Sequence, residues 1–411
     1  MRTLLILAGC TLALTVLYFN LPSKQQTENS NHPDEQIDET PYLTWVETGI
    51  AAYKARDSAG LNEAREQLSK HPEIAAEAKL LRSMSLALTE QPEKALELLW
   101  QIAETPSTKP HALALAGELL FRMSDFQSAE GVLQAAIVAD PSNPDPHRWL
   151  AAWYYDIGAM DNALAHLKSV ADLDPTDARP WRMRGMILSD FERHNEAIEA
   201  YRSALAKQLA PHVRQEVQLE LAASLLAARQ PADALKELTD VPESAKQLSL
   251  QAECLLAVGK SDLAMKSLNK CLELAPQQPQ ALMAKAGIQR ENGELAKARE
   301  TLEIAVEHHP YEFDFRFHLM SVCNALNDSV AAEIHRKEME RLREVRTRFT
   351  ELHHQSMQNP ESAELRYALG QTAEELGKFQ MAQSWYQAAL ALAPSHQQST
   401  EALKALQQRQ R

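Results

Sequence analysis

Small residues return at one fixed interval through this sequence. Ala95, Ala129, Ala163 and Ala197 are evenly spaced, and Ser83, Gly117, Ala151 and Gly185 follow the same spacing. Side chains are kept small at regular intervals where two elements must approach closely, so the interval marks a structural unit and the chain is an array of such units. Between these positions the apolar residues follow helical spacing, as in Leu150, Tyr154 and Ile157 and then Ala163, Leu167 and Val170. That pattern writes two amphipathic helices joined by a turn at Gly158. Pro141, Pro175, Pro276, Pro310 and Pro394 close successive units, because proline lacks an amide hydrogen and restricts the residue before it. The predicted fold class is all-α, built from stacked helical hairpins.

Composition agrees with this reading and narrows the function. Ala, Leu, Glu, Gln and Lys dominate, the residues that lose least freedom in a helix. With only 12 glycines in 411 residues, there is little material for the loops that usually carry active sites. No nucleophile elbow, phosphate-binding glycine loop or zinc-protease helix occurs at usable spacing. His308, His309 and His318, and His353 with His354, are close in sequence but not at ligand spacing. The chain is therefore expected to be no enzyme, to need no cofactor or metal and to take no small-molecule substrate. Its formal charge of −14 would repel a phosphate backbone, so nucleic acid is not an expected partner. Cys10, Cys254, Cys271 and Cys323 form no Cys-x-x-Cys pair and are expected to be buried as small apolar residues, with any pairing among Cys254, Cys271 and Cys323 left open.

The residues at 178–211 that carry the repeat are Trp181, Gly185, Leu188, Ala197, Tyr201 and Ala204, and near the C-terminus they are Leu369, Gly370, Gly377, Ala382, Tyr386, Ala389 and Pro394. This pattern resembles the tetratricopeptide repeat, an aromatic or Leu, a small residue, then Ala, an aromatic or Leu, Ala and Pro. The resemblance implies a right-handed superhelical solenoid of antiparallel helical hairpins. It is similar to that of membrane-anchored envelope proteins of bacteria. Nine units begin at about 76, 110, 144, 178, 215, 245, 279, 313 and 363. The expected organisation is an anchor at 1–20, a polar tether at 21–41, capping helices at 42–75 and four repeats at 76–214. A short divergent unit at 215–244 follows, then repeats at 245–328, an extended helix at 329–358, a final repeat at 359–395 and a capping helix at 396–411.

The same resemblance implies that the first helix of each repeat lines a groove that grips a peptide or a partner's helix. Carrying the family's groove register onto this sequence nominates Glu118, Phe121, Arg122, Arg148, Tyr155, Asp156, Arg179, Arg182 and Asp190. Arg148 and Arg182 take positions where chaperone-binding members hold a C-terminal carboxylate, but Ala152 and Met186 replace the asparagines those members also use. Outside the groove, Arg336, Lys337, Arg341, Arg343, Arg346 and Arg348 give the extended helix a local basic excess suited to an acidic partner or to lipid headgroups, or else simply to a solvated face.

From Thr3 to Phe19 the sequence runs 17 residues without a charge, which as a helix would extend about 26 Å, close to the hydrocarbon thickness of a bilayer. Arg2 precedes it and acidic residues follow, a bias that places the N-terminus in the cytoplasm and the repeats outside, in the periplasm if the cell is bacterial. Two readings compete with this single-pass anchor. One is a cleaved signal and secretion, although no small-x-small site follows the run. The other is a lipoprotein acylated at Cys10, from the Leu7-Ala8-Gly9-Cys10 match. The functional expectation is a membrane-tethered scaffold or assembly factor whose partners are proteins or peptides. The alternative is a non-catalytic accessory subunit of an envelope enzyme complex, for polysaccharide synthesis or cytochrome maturation.

Overall fold

The computed structural model describes residues 41–71 and 75–409, and within them the chain is all-α, with 21 helices and no strand. It divides between Arg229 and Gln230 into two compact units. The first holds α1 (Pro41–Lys54), α2 (Ser58–Leu68), α3 (Ala75–Leu88), α4 (Pro92–Ile102), α5 (Lys109–Arg122), α6 (Phe126–Ala139), α7 (Asp145–Asp156), α8 (Met160–Leu173), α9 (Arg179–Asp190), α10 (His194–Leu205) and α11 (Pro211–Ala227). The second holds α12 (Pro231–Glu237), α13 (Ala245–Ala257), α14 (Ser261–Leu274), α15 (Pro279–Glu291), α16 (Leu295–His308), α17 (Phe313–Ala325), α18 (Ser329–Gln358), α19 (Ala363–Glu375), α20 (Phe379–Leu392) and α21 (Gln397–Arg409).

Within each unit consecutive helices pair as hairpins, a first helix A and a second helix B, and one contact recurs. A Cβ placed on Gly117 of α5 would strike Leu133 of α6, one on Gly185 of α9 would strike the ring of Tyr201 of α10, and one on Gly370 of α19 the ring of Tyr386 of α20. In all three the large side chain follows the glycine at the same distance along the sequence. Ser83 and Leu99, Ala151 and Leu167, Ala252 and Leu268, and Ala286 and Leu302 repeat that distance, and every one of these residues is buried. A buried Ala stands between the members of each pair, for example Ala95, Ala163, Ala264 and Ala382, all 0% exposed. The small residue lets the two backbones approach, and the large one fills the space so made. The hairpin of α17 and α18 departs from this rule. Met320 and Arg336 occupy the two places, Arg336 is exposed, and the pair is held instead by Phe315, Leu319, Val322, Cys323 and Ala332.

Local chemistry sets the ends of the helices. Proline opens α4, α11 and α15, where its missing amide hydrogen costs nothing and its fixed φ suits a first turn. Asp125, Ser244, Asp328 and Ser362 accept backbone amides at the starts of α6, α13, α18 and α19. The chain turns from A to B through a left-handed residue such as Gly158 at φ 79° or Gly377 at φ 71°, which glycine adopts without a Cβ penalty. Cys254, Cys271 and Cys323 are free and buried, and burial pushes the Cys254 thiol up to about 11.

The longest helix, α18, has 30 residues and buries Met339, Leu342, Val345 and Phe349 along one stripe. It is long enough to cross a bilayer, but Arg336 with Glu333 and Glu340, and Arg341 with Glu338, line its outer face. Much of the basic excess read from the sequence is thus neutralised within the helix. Among the described residues no helix is both long and apolar enough to cross a membrane. This overturns the expected single-pass localisation, and with it the cytoplasmic N-terminus and extracytoplasmic repeats derived from it. The segment 3–19 and Cys10 lie outside the described residues.

The small-to-large contact separates two glycines that propensity alone would treat alike. Gly131, exposed within α6, has nothing within 4 Å of its Cβ position, so Gly131→Ala should stabilise the chain by about 0.5–1 kcal/mol. Gly370→Ala should instead destabilise it by about 1–3 kcal/mol, because Tyr386 is 1% exposed and its hydroxyl is held by Glu374 at 3.1 Å. Urea denaturation of the two variants checks this, and a gain in both would contradict the packing described.

Candidate functional site

The A helices present the same register position again and again, so the candidate surface can be built one position at a time. On α5, Glu118 is closed off from the N-terminal side. The Tyr53 hydroxyl of α1 donates to its Oε1 at 2.9 Å, and Arg122 lies 3.5 Å away. Burial raises the Glu118 carboxyl above the ordinary range, opposed by those two partners, and the Tyr53 phenol is raised as well, by burial and then by Glu118. Phe121 is 7% exposed, with ring centroids 5.4 Å from Phe126 and 5.2 Å from Trp149. It is a core residue and not a groove residue.

On α7, Arg148 is 8% exposed. Its guanidinium meets Asp145 of its own helix, Asp174 at 3.2 Å and Asp177 at 3.1 Å. Lys54 of α1 reaches Asp145 at 2.7 Å. Burial alone would raise the Asp145 and Asp177 carboxyls, but Lys54 and Arg148 more than offset this at the first and Arg179 at the second, so both lie below the ordinary range. Arg179 grips Asp177 through Nε at 2.8 Å and Nη2 at 2.9 Å. On α9, Arg182 donates to Glu220 at 2.6 Å and to Glu216 at 2.8 Å, both on α11. The two arginines that the family pattern sets opposite a C-terminal carboxylate are therefore already engaged by carboxylates of this chain. Tyr155 and Asp156 are half-buried and Asp190 is exposed. Asp190 lies near enough to the Tyr201 phenol for its charge to help raise it, and burial raises Asp156 to about 6.

The nine nominated residues thus fall into two groups, with Glu118, Phe121, Arg148, Arg179, Arg182 and the Glu118 partner Arg122 serving the fold, and Tyr155, Asp156 and Asp190 at its edge. The second unit treats the same register differently. Counted back from the buried Ala of the following B helix, Met283 of α15 stands to Ala298, and Phe317 of α17 to Ala332, as Arg148 stands to Ala163 and Arg182 to Ala197. Phe317 is 47% exposed. Gly287 takes the register of Glu118, and a Cβ there would meet nothing within 4 Å. Arg290 of α15 and His318 of α17 lie 3.3 Å apart, so side chains of these two A helices reach each other. The repeat interval that joins Met283 to Phe317 was present in the sequence and would have found them.

A further pair was missed because its members lie in different helices of one hairpin. His147 of α7 and His166 of α8 have their Nδ1 atoms 2.8 Å apart and ring centroids 5.1 Å apart. Those two distances describe nitrogens pointing straight at each other, the geometry of one shared N–H···N bond and not of two lone pairs converging on a metal. Tyr154 stacks on His166 and donates to Glu130 at 2.7 Å. Burial lowers both imidazoles, His166 to about 4. Among the described residues no group of three His, Cys, Asp or Glu could hold a metal ion.

Tetratricopeptide repeats are matched in three places, residues 120–187, 250–313 and 363–396. No curated protein matches the chain. Solved structures similar to it include Pseudomonas aeruginosa pilF, at 18% identity and TM-score 0.35 over 58% of this chain and 94% of that one. Another is MamA, at 21% identity and TM-score 0.38 over 42% and 94%. A third is the human IFIT1 dimer with PPP-AAAA, at 17% identity and TM-score 0.38 over 87% and 92%. At such identities the likeness extends to the helical repeat fold alone.

Two measurements check the assignment of these polar groups to the fold. Arg148→Ala takes one of two arginines from Asp177, whose side chain is 6% exposed and which Arg179 still holds, and should cost about 1.5–3 kcal/mol in urea denaturation, whereas Arg193→Ala, at an exposed pair with Glu196, should leave the midpoint in place. The imidazole pair acts in a different pH window. Because its folded pKa values are lowered, its contribution is complete above about pH 6.5 and is lost as pH falls toward 4. Replacing both by Phe should remove on the order of 2 kcal/mol of that pH-dependent loss, relative to the unsubstituted chain, in which Asp156 titrates with the opposite sign. An unchanged slope would contradict the shared bond.

Proposed function

We propose that this chain is a non-catalytic scaffold that holds a segment of a partner protein against the A-helix face of its second unit. Tetratricopeptide repeats are generally a protein-interaction fold without catalysis of their own, and they recur in three places here. The observations that carry the reading are the exposure of Phe317 on α17 and the open space over Gly287 on α15. The Phe317 ring meets only the edge of His318 in the aromatic contacts of the described residues and is 47% exposed, and on α15 no side chain fills the surface over Gly287. Large, rigid aromatic groups of this kind anchor many protein interfaces, and a bare glycine on the same face of the hairpins leaves room for an incoming side chain. Met283 supplies an apolar neighbour at the equivalent position one repeat earlier.

The polar side chains nominated in the first unit fit this role less well. A partner that used Arg148 or Arg182 would have to displace carboxylates already bonded to them, leaving buried charge behind. Asp156 and Asp190 stay open to a partner there.

Selection of displayed peptides on the full chain tests the proposal. Peptides enriched on the unsubstituted protein should carry a bulky apolar residue. They should lose about tenfold or more in affinity to Phe317→Ala and to Gly287→Leu, which fills the open space. Both positions are on the surface, so the melting profile should be retained. Enrichment of no common sequence, or of sequences indifferent to both substitutions, would contradict the proposal.

A further inference from the structure

Three of the exposed large apolar side chains of the first unit share one register, each recurring at the repeat interval from the last. Met123, Ile157 and Phe191 are 39%, 51% and 46% exposed. Each caps the C-terminus of an A helix, α5, α7 and α9, with closely similar backbone angles: φ −82° and ψ 2°, φ −87° and ψ 1°, and φ −94° and ψ 17°. Each is followed by a left-handed residue, Ser124, Gly158 or Glu192. The same local geometry on three successive hairpins displays the three side chains as a row along the A-to-B turns. A single exposed apolar residue is ordinary, but three at one register are a patterned surface.

The row is also acidic. Asp156 and Asp190 precede Ile157 and Phe191; no cation lowers either carboxyl among the described residues, and Asp190 acts on the Tyr201 phenol. Burial raises the half-buried Asp156 to about 6, and Asp190, though the residue is exposed overall, has a carboxyl sheltered enough to be raised as well. Asp161, with a 97% exposed side chain, has only Arg193 at 4.0 Å, and that arginine is committed to Glu196 at 2.7 Å. Glu192 adds a further exposed carboxylate, while Arg122 is balanced by Glu118.

We propose that this turn edge docks a basic amphipathic helix of another protein. Its apolar residues at every seventh position would lie on Met123, Ile157 and Phe191, and its Lys or Arg side chains would pair with Asp156 and Asp190. The spacing supports a helix. Successive A helices place the row at intervals of about one helix diameter, ~10–12 Å, and a helix rises about 10.5 Å in seven residues while returning to the same face. An extended strand covers that distance in about three residues but turns every second side chain away. The uncompensated carboxylates select a basic partner and disfavour anionic lipid or nucleic acid.

The test uses the full chain and a fluorescein-labelled helical peptide of about 21 residues with Leu at every seventh position and Lys beside each Leu. Fluorescence anisotropy should show saturable binding that weakens about tenfold in Ile157→Ser/Phe191→Ser and severalfold in Asp156→Asn/Asp190→Asn. Binding should also weaken with added salt and below about pH 6, where Asp156 is neutralised. Phe317→Ala should leave it unchanged, so that failure here and failure of the peptide face in the second unit are distinguishable. Unchanged melting profiles would show the serine variants folded. Absence of binding to the unsubstituted chain, or binding indifferent to Ile157→Ser/Phe191→Ser, would overturn the proposal. So would equal binding of a peptide with Glu for Lys, or tighter binding of a proline-rich peptide of the same charge. Self-association abolished by the serine variants would assign the row to a second copy of this chain and overturn it too.

Discussion

The close approach of a small residue on each A helix to a large buried side chain on the B helix that follows is the contact on which the rest of this structure depends. A hairpin of two short helices is marginal by itself, since most helical stability comes from packing an apolar face. Gly117 against Leu133, Gly185 against Tyr201 and Gly370 against Tyr386 bring the backbones close enough for the remaining apolar residues to interlock. Repetition of that contact fixes how each A helix is rotated, and rotation decides which side chains reach the surface. In the hairpin of α17 and α18, where Met320 and Arg336 replace the pair, α18 runs on for 30 residues and finds its burial along its own length.

With the rotation fixed, equivalent positions face equivalent ways and sequence decides what each one does. In the first unit the register of Arg148 and Arg182 is filled by guanidinium groups that bind carboxylates arriving from later in the chain, Asp174, Asp177, Glu216 and Glu220. These bonds tie successive hairpins together. In the second unit the same register holds Met283, packed against the core, and Phe317, 47% exposed; neither apolar side chain forms such bonds. One backbone arrangement thus serves as internal bracing on α7 and α9 and leaves an aromatic ring exposed on α17.

The repeat interval made the fold class legible, because the spacing of Ala95, Ala129, Ala163 and Ala197 is a backbone constraint that leaves its mark on the sequence. The roles of single polar residues were less legible. Nothing at Arg148 itself announces that Asp177, 29 residues on, will be brought to its side chain, and nothing at Glu118 announces Tyr53, 65 residues back. A family register says which face a residue occupies, but whether it is spent on a neighbour depends on the identity of residues in other helices. Phe121 lies at a groove position of that register, yet Phe126 and Trp149 enclose it. Of the histidines close in sequence, His309 donates to the Gln277 carbonyl, while His147 and His166 meet because the hairpin folds one helix back on the other.

A double-mutant cycle at Gly185 and Tyr201 measures the central contact directly. Gly185→Ala, Tyr201→Leu and the double variant would be compared with the unsubstituted chain by denaturant unfolding. The packing described predicts a coupling of about 1–3 kcal/mol, with Tyr201→Leu relieving part of the damage done by Gly185→Ala. Effects that add to within about 0.5 kcal/mol would show that the two residues do not constrain each other, and would contradict the account.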